Sequence, residues 1–427
     1  AADRALQNVD PETLPPFHGV PCTIKECFAV QGMPQTSGLI TRKGIIAGHD
    51  ATAVRRIRRA GGIPMGVTNL SELCLWMESD NPVYGRTNNP YNLERTVGGS
   101  SGGEGAIVAS GASPFGLGSD IGGSIRLPAF FNGVFGHKPS AGLIPNTGQH
   151  PLAHNEALRF LGTGPLCRRA EDLMPLVRIL AGPDGLDPST ETMSLGDPAD
   201  VDFQHMKVIT VPDNGRQKVD GALKQAQQRA AAHLESLGAT VRDKQFDDFR
   251  HAIDMWLTNL SSAEGKHTFR KLMGRRETGE LVGQLARWLV GGAEHSIAAI
   301  ITGLFEDLGA GFEKRTAHFL ALSDSLRAEV LEVLGPQTVL LFPTYPRIAP
   351  KHHRPKLRVF DASYTTLINI LQLPATHVPM GLNQEGLPLG FQVVGAPGTD
   401  HRTIAVAMEL ERAFGGWVFP SVPGVDH

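Results

Sequence analysis

The chain has 427 residues, of which 41% are hydrophobic and 19% charged, a balance typical of a soluble globular protein with a large core. Its net charge of −3 gives little attraction to polyanions, so we expect no nucleic-acid partner. No apolar run reaches the roughly 18 residues that a membrane helix needs, and Ile297–Phe305 is too short to span a bilayer.

The first third of the chain alternates predicted strands and helices. The apolar run His18–Ile24 predicts a buried strand, and Ala51–Ala60 predicts a helix with Asp50 at its N-cap. The segment "GIPMGVTN" after this helix predicts a second strand. A strand–helix–strand order favours parallel pairing with a right-handed crossover.

Helical patterns dominate residues 200–336, and the last part of the chain returns to short strands. We predict helices at Gly102–Ser110, Lys218–Gly238, Asp248–Arg275, Thr316–Leu334 and Asp400–Phe414. We predict strands at Val339–Phe342 and Gly390–Val394. The opening residues Ala1–Asp10 predict the tail of a helix.

The four cysteines, Cys22, Cys27, Cys74 and Cys167, are irregularly spaced. Their spacing fits neither a disulfide framework nor a zinc site, so we predict no metal centre. Buried reduced thiols are the simplest interpretation. A reactive thiol is the alternative, because Cys22 and Cys27 flank Lys25.

The stretch "TVGGSSGGEGAIVASGASPFGLGSDIGGSIRLPAFF", residues 96–131, sets serines among glycines. Glycine-rich loops often bind phosphates, but a P-loop needs a lysine that Gly118–Ser124 lacks. Gly98–Glu104 has a glutamate at that place. The dinucleotide pattern G-x-G-x-x-G fails because Ile121 replaces the third glycine. We therefore expect no nucleotide cofactor.

Two further interpretations of this stretch remain. Residues 98–102 satisfy the nucleophile-elbow pattern G-x-S-x-G, which would require a downstream histidine such as His377 or His401. A purely structural turn would explain the glycines. It would leave Asp120, Ser124 and Arg126 around Gly122-Gly123 without a purpose.

The fragments "GGSSGGEGA" and "SDIGGSIRLPA", with "PCTIKE" upstream, resemble the amidase signature family. Within it the likeness is greatest to the fatty-acid amide hydrolases, particularly the second vertebrate type, through "APKHHRP" and "FGGWVFP". The resemblance implies an α/β fold: a single large α/β/α domain over residues 1–427, with a central mixed sheet flanked by helices. It also suggests that an N-terminal segment is missing. Residues 201–334 match less well, and we predict that they shape the substrate channel.

The resemblance also assigns catalytic roles. Lys25 would be the base, Ser100 the bridging hydroxyl and Ser124 the nucleophile. The peptide bond Gly99–Ser100 would be cis. The backbone N–H groups predicted to form the oxyanion hole are those of Ile121, Gly122, Gly123 and Ser124.

The same resemblance gives supporting residues. Residues predicted to hold the loops around the site are Gly99, Ser101, Asp120 and Arg126. Residues predicted to line the acyl side of the substrate pocket are Cys74, Leu75 and Met77, with core packing as the alternative. Leu289–Phe305 would be an apolar cap at the channel mouth or a buried helix.

The implied function is a cofactor-free serine hydrolase that cleaves amides of fatty acids or other hydrophobic acyl or aryl groups. The alternatives are an amidase for short or aryl amides, and the amidase subunit of a tRNA-dependent amidotransferase, which would pass ammonia to a partner subunit. A non-catalytic scaffold is disfavoured because all three relay residues are present. We expect a homodimer, a small-molecule amide substrate and a cytoplasmic location, with peripheral membrane contact through a segment upstream of Ala1 as a further option.

Overall fold

A computed structural model describes residues 13–264, 269–274, 278–305 and 313–421 of the chain. The helix tail predicted at Ala1–Asp10 lies outside these residues. Everything that follows refers to the described part of the chain.

A ten-stranded mixed sheet forms the centre of the described structure. Its strands are β1 (Pro21–Lys25), β2 (Ile63–Thr68), β3 (Phe115–Asp120), β4 (Phe135–Lys138), β5 (Gly162–Cys167), β6 (Lys207–Thr210), β7 (Thr240–Asp243), β8 (Thr338–Phe342), β9 (Ala375–Leu382) and β10 (Pro388–Val394). Their order across the sheet is β7-β6-β8-β10-β9-β4-β5-β3-β1-β2.

The sheet is parallel towards both edges and antiparallel in between. β1 pairs in parallel with β2 and β3, and β6 pairs in parallel with β7 and β8. The remaining neighbours are antiparallel. The parallel pairing predicted for the first strand–helix–strand unit is confirmed.

Helices flank the sheet and bury its apolar side chains. They are α1 (Thr52–Arg59), α2 (Gly102–Ala109), α3 (Arg126–Phe131), α4 (Leu173–Leu180), α5 (Gly221–Ser236), α6 (Ala252–Glu264), α7 (Phe269–Leu272), α8 (Thr278–Leu289), α9 (Ile297–Phe305), α10 (Glu313–Val333), α11 (Ser363–Ile370) and α12 (Asp400–Phe414). Among the described residues, α12 and α3 pack on β9, and α5 packs on β10. The predicted α/β class, a central mixed sheet flanked by helices, is confirmed.

Central burial explains why the sequences of several strands do not alternate between polar and apolar residues. Every residue of Phe115–Asp120 and of Gly162–Cys167 is buried, so both faces of these strands are covered. A strand covered on both faces has no polar side to mark its period. Glycines at these positions let neighbouring segments approach: a Cβ at Gly164 would press against the His137 carbonyl.

One predicted helix cap is wrong. The helix begins at Thr52 with Ala51 as its N-cap, and no side chain caps it. Asp50 instead accepts a hydrogen bond from the Gln31 backbone N–H (2.8 Å) and pairs with Arg58 (3.0 Å). The carboxylate is therefore used to connect the helix to the preceding loop.

The observed bounds of two other elements differ from the predicted ones. The first strand covers Pro21–Lys25 rather than His18–Ile24, which places Lys25 at its end. The long helix predicted over Asp248–Arg275 is divided: a short 3-10 turn at Asp247–His251 leads into α6, and α7 follows separately. The helix at Asp400–Phe414 has the predicted bounds.

Candidate active site

Lys25 ends strand β1, with its side chain wholly buried beneath the glycine-rich segment. Its Nζ lies 2.7 Å from Ser100 Oγ and 2.8 Å from Ser119 Oγ, with the Ser119 carbonyl at 3.5 Å. All three partners are oxygen atoms, two of hydroxyl groups and one of a carbonyl. The Lys25 amine is therefore within direct reach of two serine hydroxyls.

Ser100 follows a cis peptide bond from Gly99, as the sequence predicted. A side chain at Gly99 would collide with the Trp76 carbonyl and the backbone of Met77, so only glycine fits there. Ser79 Oγ donates towards the Gly98 carbonyl (3.1 Å). Close backbone packing on both sides thus holds Ser100 facing Lys25.

Ser124 lies in the turn between β3 and α3 and is 8% exposed. Its carbonyl accepts a hydrogen bond from the Ser101 N–H (3.2 Å), and Ser101 Oγ donates to the Ser119 carbonyl (3.3 Å). The two serine-bearing segments are therefore joined directly. Ser124 Oγ has no hydrogen-bond partner in the described part of the chain.

Asp120 and Arg126 form the buried ion pair that the sequence suggested. Two guanidinium nitrogens reach the two carboxylate oxygens, each at 3.0 Å. Arg126 also donates to Gln392 Oε1 (2.8 Å), Asn369 Oδ1 (2.6 Å) and the Thr365 carbonyl (3.1 Å). Burial alone would raise the pKa of Asp120, but the adjacent guanidinium holds that pKa well below its usual range. Removing one partner of such a pair costs about 3–5 kcal/mol.

The Asp120 carboxylate also organises the turn that carries Ser124. It accepts a hydrogen bond from the Gly123 N–H (2.7 Å), so this donor is already engaged. The N–H groups of Ile121, Gly122 and Ser124 have no acceptor among the described residues. Three of the four predicted oxyanion donors therefore have no hydrogen-bond acceptor within the described ranges.

Comparison with known proteins identifies the family. The model of the family described as Amidase matches residues 1–404. The chain belongs to the amidase signature family. It is an amide hydrolase, as the sequence predicted.

Within the amidase signature family, the chain is 46% identical over 416 residues to fatty-acid amide hydrolase 2-B of Danio rerio, covering 95% of this chain and 77% of that protein. It is 45% identical over 417 residues to fatty-acid amide hydrolase 2 of Homo sapiens, with the same coverage. The crystal structure of a glutamyl-tRNA(Gln) amidotransferase subunit from Thermotoga maritima superposes with a TM-score of 0.80 at 27% identity, covering 98% of this chain and 89% of that one.

Several residues of this amidase site were not predicted. Ser119 is the second hydroxyl partner of Lys25. The Trp256 indole N–H donates to the Ile121 carbonyl (2.7 Å), and Thr365 Oγ1 donates to the Gly122 carbonyl (2.7 Å). Ser119 stands beside Asp120 in the serine- and glycine-rich stretch, and this position was a signal that could have indicated it. Trp256 and Thr365 lie 135 and 243 residues from their partners, so no local pattern marks them.

The three predicted acyl-side residues lie near each other but in different surroundings. Cys74 is partly exposed and packs against the main hydrophobic core. Met77 is 7% exposed and precedes the carboxylate of Glu78. Leu75 packs against a separate apolar cluster made of Leu39, Leu73, Phe269, Met273, Leu281 and Ala299. Their contact with an acyl group stays a prediction.

The described residues contain no group of three or more His, Cys, Asp or Glu side chains arranged to hold a metal ion. Within the same residues, no helix is both long and apolar enough to traverse a bilayer. His377 and His401 are the candidates of the nucleophile-elbow interpretation, and in the described part of the chain neither is hydrogen-bonded to Ser100 or Ser124. His377 is bound to Thr344 Oγ1 (2.8 Å).

Proposed function

We propose that this amidase hydrolyses amides with hydrophobic acyl or aryl groups through a Ser124 acyl-enzyme, with Ser100 and Lys25 as the proton relay. The observation that carries the proposal is the 2.7 Å contact between Lys25 Nζ and Ser100 Oγ in a wholly buried site. A serine hydroxyl needs a base to become a nucleophile, and the proximity of Lys25 to Ser100 supports assigning this role to Lys25.

The relay runs from the nucleophile to the lysine. Ser124 attacks the amide carbonyl and gives its proton to Ser100 Oγ, while Ser100 gives its own proton to a neutral Lys25. A hydroxyl can do both because it has one donor and two acceptor sites. Ser119 Oγ, 2.8 Å from Nζ, keeps Lys25 directed at Ser100 during the transfer.

The tetrahedral intermediate carries a negative oxygen, for which the N–H groups of Ile121, Gly122 and Ser124 are available donors. Loss of one such donor costs roughly 2.7–4 kcal/mol of transition-state stabilisation. Protonated Lys25 then returns its proton through Ser100 to the departing amine. Water hydrolyses the acyl-enzyme by the same relay.

The assignment of a hydrophobic acyl group rests on sequence similarity to the named relatives and on side chains from residues 201–334. The relatives at 45% and 46% identity are named fatty-acid amide hydrolases. Trp256 reaches the Ser124 turn from within residues 201–334, which supports a role of this region in shaping the channel.

Trp288, Leu289 and Val290 are 44%, 75% and 82% exposed at the end of α8 and would suit peripheral membrane contact. Homodimer formation and a cytoplasmic location stay predictions.

The second candidate is the amidase subunit of a tRNA-dependent amidotransferase. It is favoured by the 27% identical Thermotoga maritima structure and by 30% identity to a glutamyl-tRNA(Gln) amidotransferase subunit of Methanosarcina acetivorans. The higher identity to the fatty-acid amide hydrolases makes it the weaker candidate. Under this alternative, amide hydrolysis would serve ammonia delivery to a partner subunit.

The test is hydrolysis of primary amides, ethanolamides and anilides with short to long acyl groups by the wild type, Ser124→Ala and Lys25→Ala. Lys43→Ala, an exposed lysine, is the matched control. We expect kcat/KM to rise with acyl length and to fall roughly 10⁴-fold or more in both site variants. A preference for short acyl groups would remove the fatty-acid assignment. Full activity of Lys25→Ala would refute the relay, and turnover only with copurified partner subunits would favour the second candidate.

A further inference from the structure

A buried carboxyl–imidazole pair joins two segments that lie 223 positions apart in the chain. His295 Nδ1 is 2.6 Å from Glu72 Oε1, and the Ser296 backbone N–H donates to Glu72 Oε2 (2.7 Å). Both side chains of the pair are 1% exposed. Neither takes part in the relay proposed above, so the pair needs another explanation.

Glu72 begins the acyl-side loop, residues 72–78, which contains the three residues predicted to line the acyl group. Leu73 and Cys74 have φ angles of 54° and 62°, in the left-handed region that side chains rarely adopt. Such a backbone persists where its surroundings enforce it. Both carboxyl oxygens of Glu72 are within hydrogen-bond distance of groups outside the loop, and these contacts supply part of that enforcement.

The opposite end of the acyl-side loop is held at the relay by other contacts. The Trp76 carbonyl packs so closely on Gly99 that a Cβ there would collide with it. Ser79 Oγ, just after the loop, donates towards the Ser100 carbonyl (3.3 Å). Ser100 therefore has its own support, and Glu72 holds the start of the loop rather than its end.

His295 lies in the connection between α8 and α9, which is itself fixed to both helices. The Glu294 N–H donates to Gln284 Oε1 on α8 (3.0 Å), and Gln284 Nε2 donates to Glu294 Oε2 (3.1 Å). The Ala299 N–H, in the first turn of α9, donates to Ser296 Oγ (3.2 Å). Through His295, the two helices therefore meet the acyl-side loop at one defined point.

The acyl-side loop also meets α8 and α9 through an apolar cluster. Leu73 is fully buried in this cluster and Leu75 packs against it, while Leu281 on α8 and Ala299 on α9 belong to it. Hydrophobic attraction is non-directional, so several positions of the loop would bury a similar apolar area. A buried charged or polar pair adds little to stability, but its fixed geometry can select one arrangement.

We propose that Glu72 and His295 position the acyl-side loop against α8 and α9, and that this sets the preference of the amidase for long acyl groups. The inference deepens the proposed function and rests on it. With the pair in place, Leu75 and its neighbours form a fixed wall for a long acyl chain. Without the pair, part of the binding energy of a long chain is spent on ordering the loop. A short acyl group does not reach this wall and loses less.

The test compares kcat/KM for the p-nitroanilides of acetate and dodecanoate in Glu72→Gln and His295→Ala. Glutamine keeps the size of Glu72 but replaces one acceptor oxygen by an NH2 group. We expect the dodecanoyl-to-acetyl ratio of kcat/KM to fall about tenfold in each variant, mainly through the KM of the dodecanoyl substrate. Because both changes break the same contact, the double variant should lose no more than either single one.

Two further variants distinguish this role from a general loss of structure. His233→Ala breaks another histidine–glutamate pair, in which His233 Nε2 on α5 lies 2.6 Å from Glu409 Oε1 on α12, and it should keep the wild-type ratio. His295→Asn places an amide N–H close to the position of Nδ1 and should recover most of the ratio. An unchanged ratio in both Glu72→Gln and His295→Ala, or equal losses with both anilides, would overturn the inference.

Hydrogen exchange of the folded protein tests the position of the loop without any turnover. The backbone N–H groups of Leu73 and Cys74 donate to the carbonyls of Ser37 and Ser71, each at 2.9 Å. We expect both N–H groups to exchange faster in Glu72→Gln than in the wild type, and unchanged exchange would contradict the role of the pair. A wild type that hydrolyses both anilides without preferring the dodecanoyl group would overturn the inference on acyl length alone. A wild type that hydrolyses no amide would overturn the proposed function, and the exchange rates would still decide whether the pair holds the loop.

Discussion

At the scale of single residues, the proposed relay depends on the arrangement around Lys25 Nζ. This nitrogen is hydrogen-bonded to the Ser100 and Ser119 hydroxyls. The Ser119 carbonyl also accepts a hydrogen bond from the Ser101 hydroxyl, so Ser119 connects Lys25 to the paired serines Ser100 and Ser101. In the proposed relay, Ser119 is therefore a positioning residue that would act on the reaction through Lys25.

Ser119→Ala tests this positioning role. We expect kcat to fall by about three- to tenfold, the equivalent of one hydrogen bond worth ~0.5–1.5 kcal/mol. Ser119→Thr keeps a hydroxyl and should recover most of the rate. Ser113→Ala removes another buried serine hydroxyl, one that donates to the Phe115 carbonyl, and should leave kcat unchanged. Equal rate losses in Ser113→Ala and Ser119→Ala would mean that Ser119 is only structural.

At the scale of elements, two helices distant in sequence support the turn that carries Ser124. Helix α11 supplies Thr365, which binds the Gly122 carbonyl, and Asn369, which donates to the Asp120 carboxylate (2.9 Å). Helix α6 packs against α11 and supplies Trp256. The carbonyls of Ile121 and Gly122 are thus fixed from outside, and because a peptide unit is planar this also orients the N–H groups of Gly122 and Gly123, which point the opposite way. Rigid elements hold catalytic donors more precisely than a free loop does.

Trp256→Phe tests the contribution of α6. Phenylalanine keeps most of the ring packing but removes the indole N–H that binds the Ile121 carbonyl. We expect kcat to fall by about three- to tenfold, as for the loss of one hydrogen bond, with little change in the melting temperature. The matched control is Trp288→Phe on α8, where the side chain is 44% exposed and the rate should not change. A wild-type kcat in Trp256→Phe would show that α6 only covers the site.

At the scale of the whole molecule, the sequence predicted the motifs and elements that short local patterns indicate. The serine and lysine motifs were found because each stands in a short contiguous stretch. The helix Asp400–Phe414 was found because its apolar residues recur with the helical period. The strands Phe135–Lys138 and Ala375–Leu382 were not predicted, because central burial and histidines inside them remove any alternation. The contacts of Trp256 depend on tertiary packing, which one sequence does not encode locally.

Folding also buries a carboxyl group against strands β1 and β2. Glu104, in the first turn of α2, is fully buried and accepts hydrogen bonds from Thr23 Oγ1 (2.7 Å) and Thr68 Oγ1 (2.6 Å). Burial raises its pKa to about 7, although the hydrogen bonds from both threonines oppose this.

This pKa makes the stability of the whole fold depend on pH near neutrality. Between pH 4.5, the ordinary pKa of a glutamate, and about 7, the folded state keeps a proton on Glu104 that the unfolded state loses. Stability then falls as pH rises through this window, because the folded state binds more protons. At 1.36 kcal/mol per pKa unit, the full effect is about 3 kcal/mol.

Glu104→Gln removes the titration and keeps an oxygen acceptor for one threonine. We expect the free energy of unfolding of this variant, minus that of the wild type, to increase by up to about 3 kcal/mol between pH 5 and pH 8. Urea unfolding at pH 5, 6.5 and 8 measures the difference, in which the titration of all other groups cancels. Glu332→Gln, an exposed glutamate on α10, should give a difference independent of pH. A flat difference for Glu104→Gln as well would mean that Glu104 stays ionised in the folded protein, and that a carboxylate, rather than a neutral acid, is buried against strands β1 and β2.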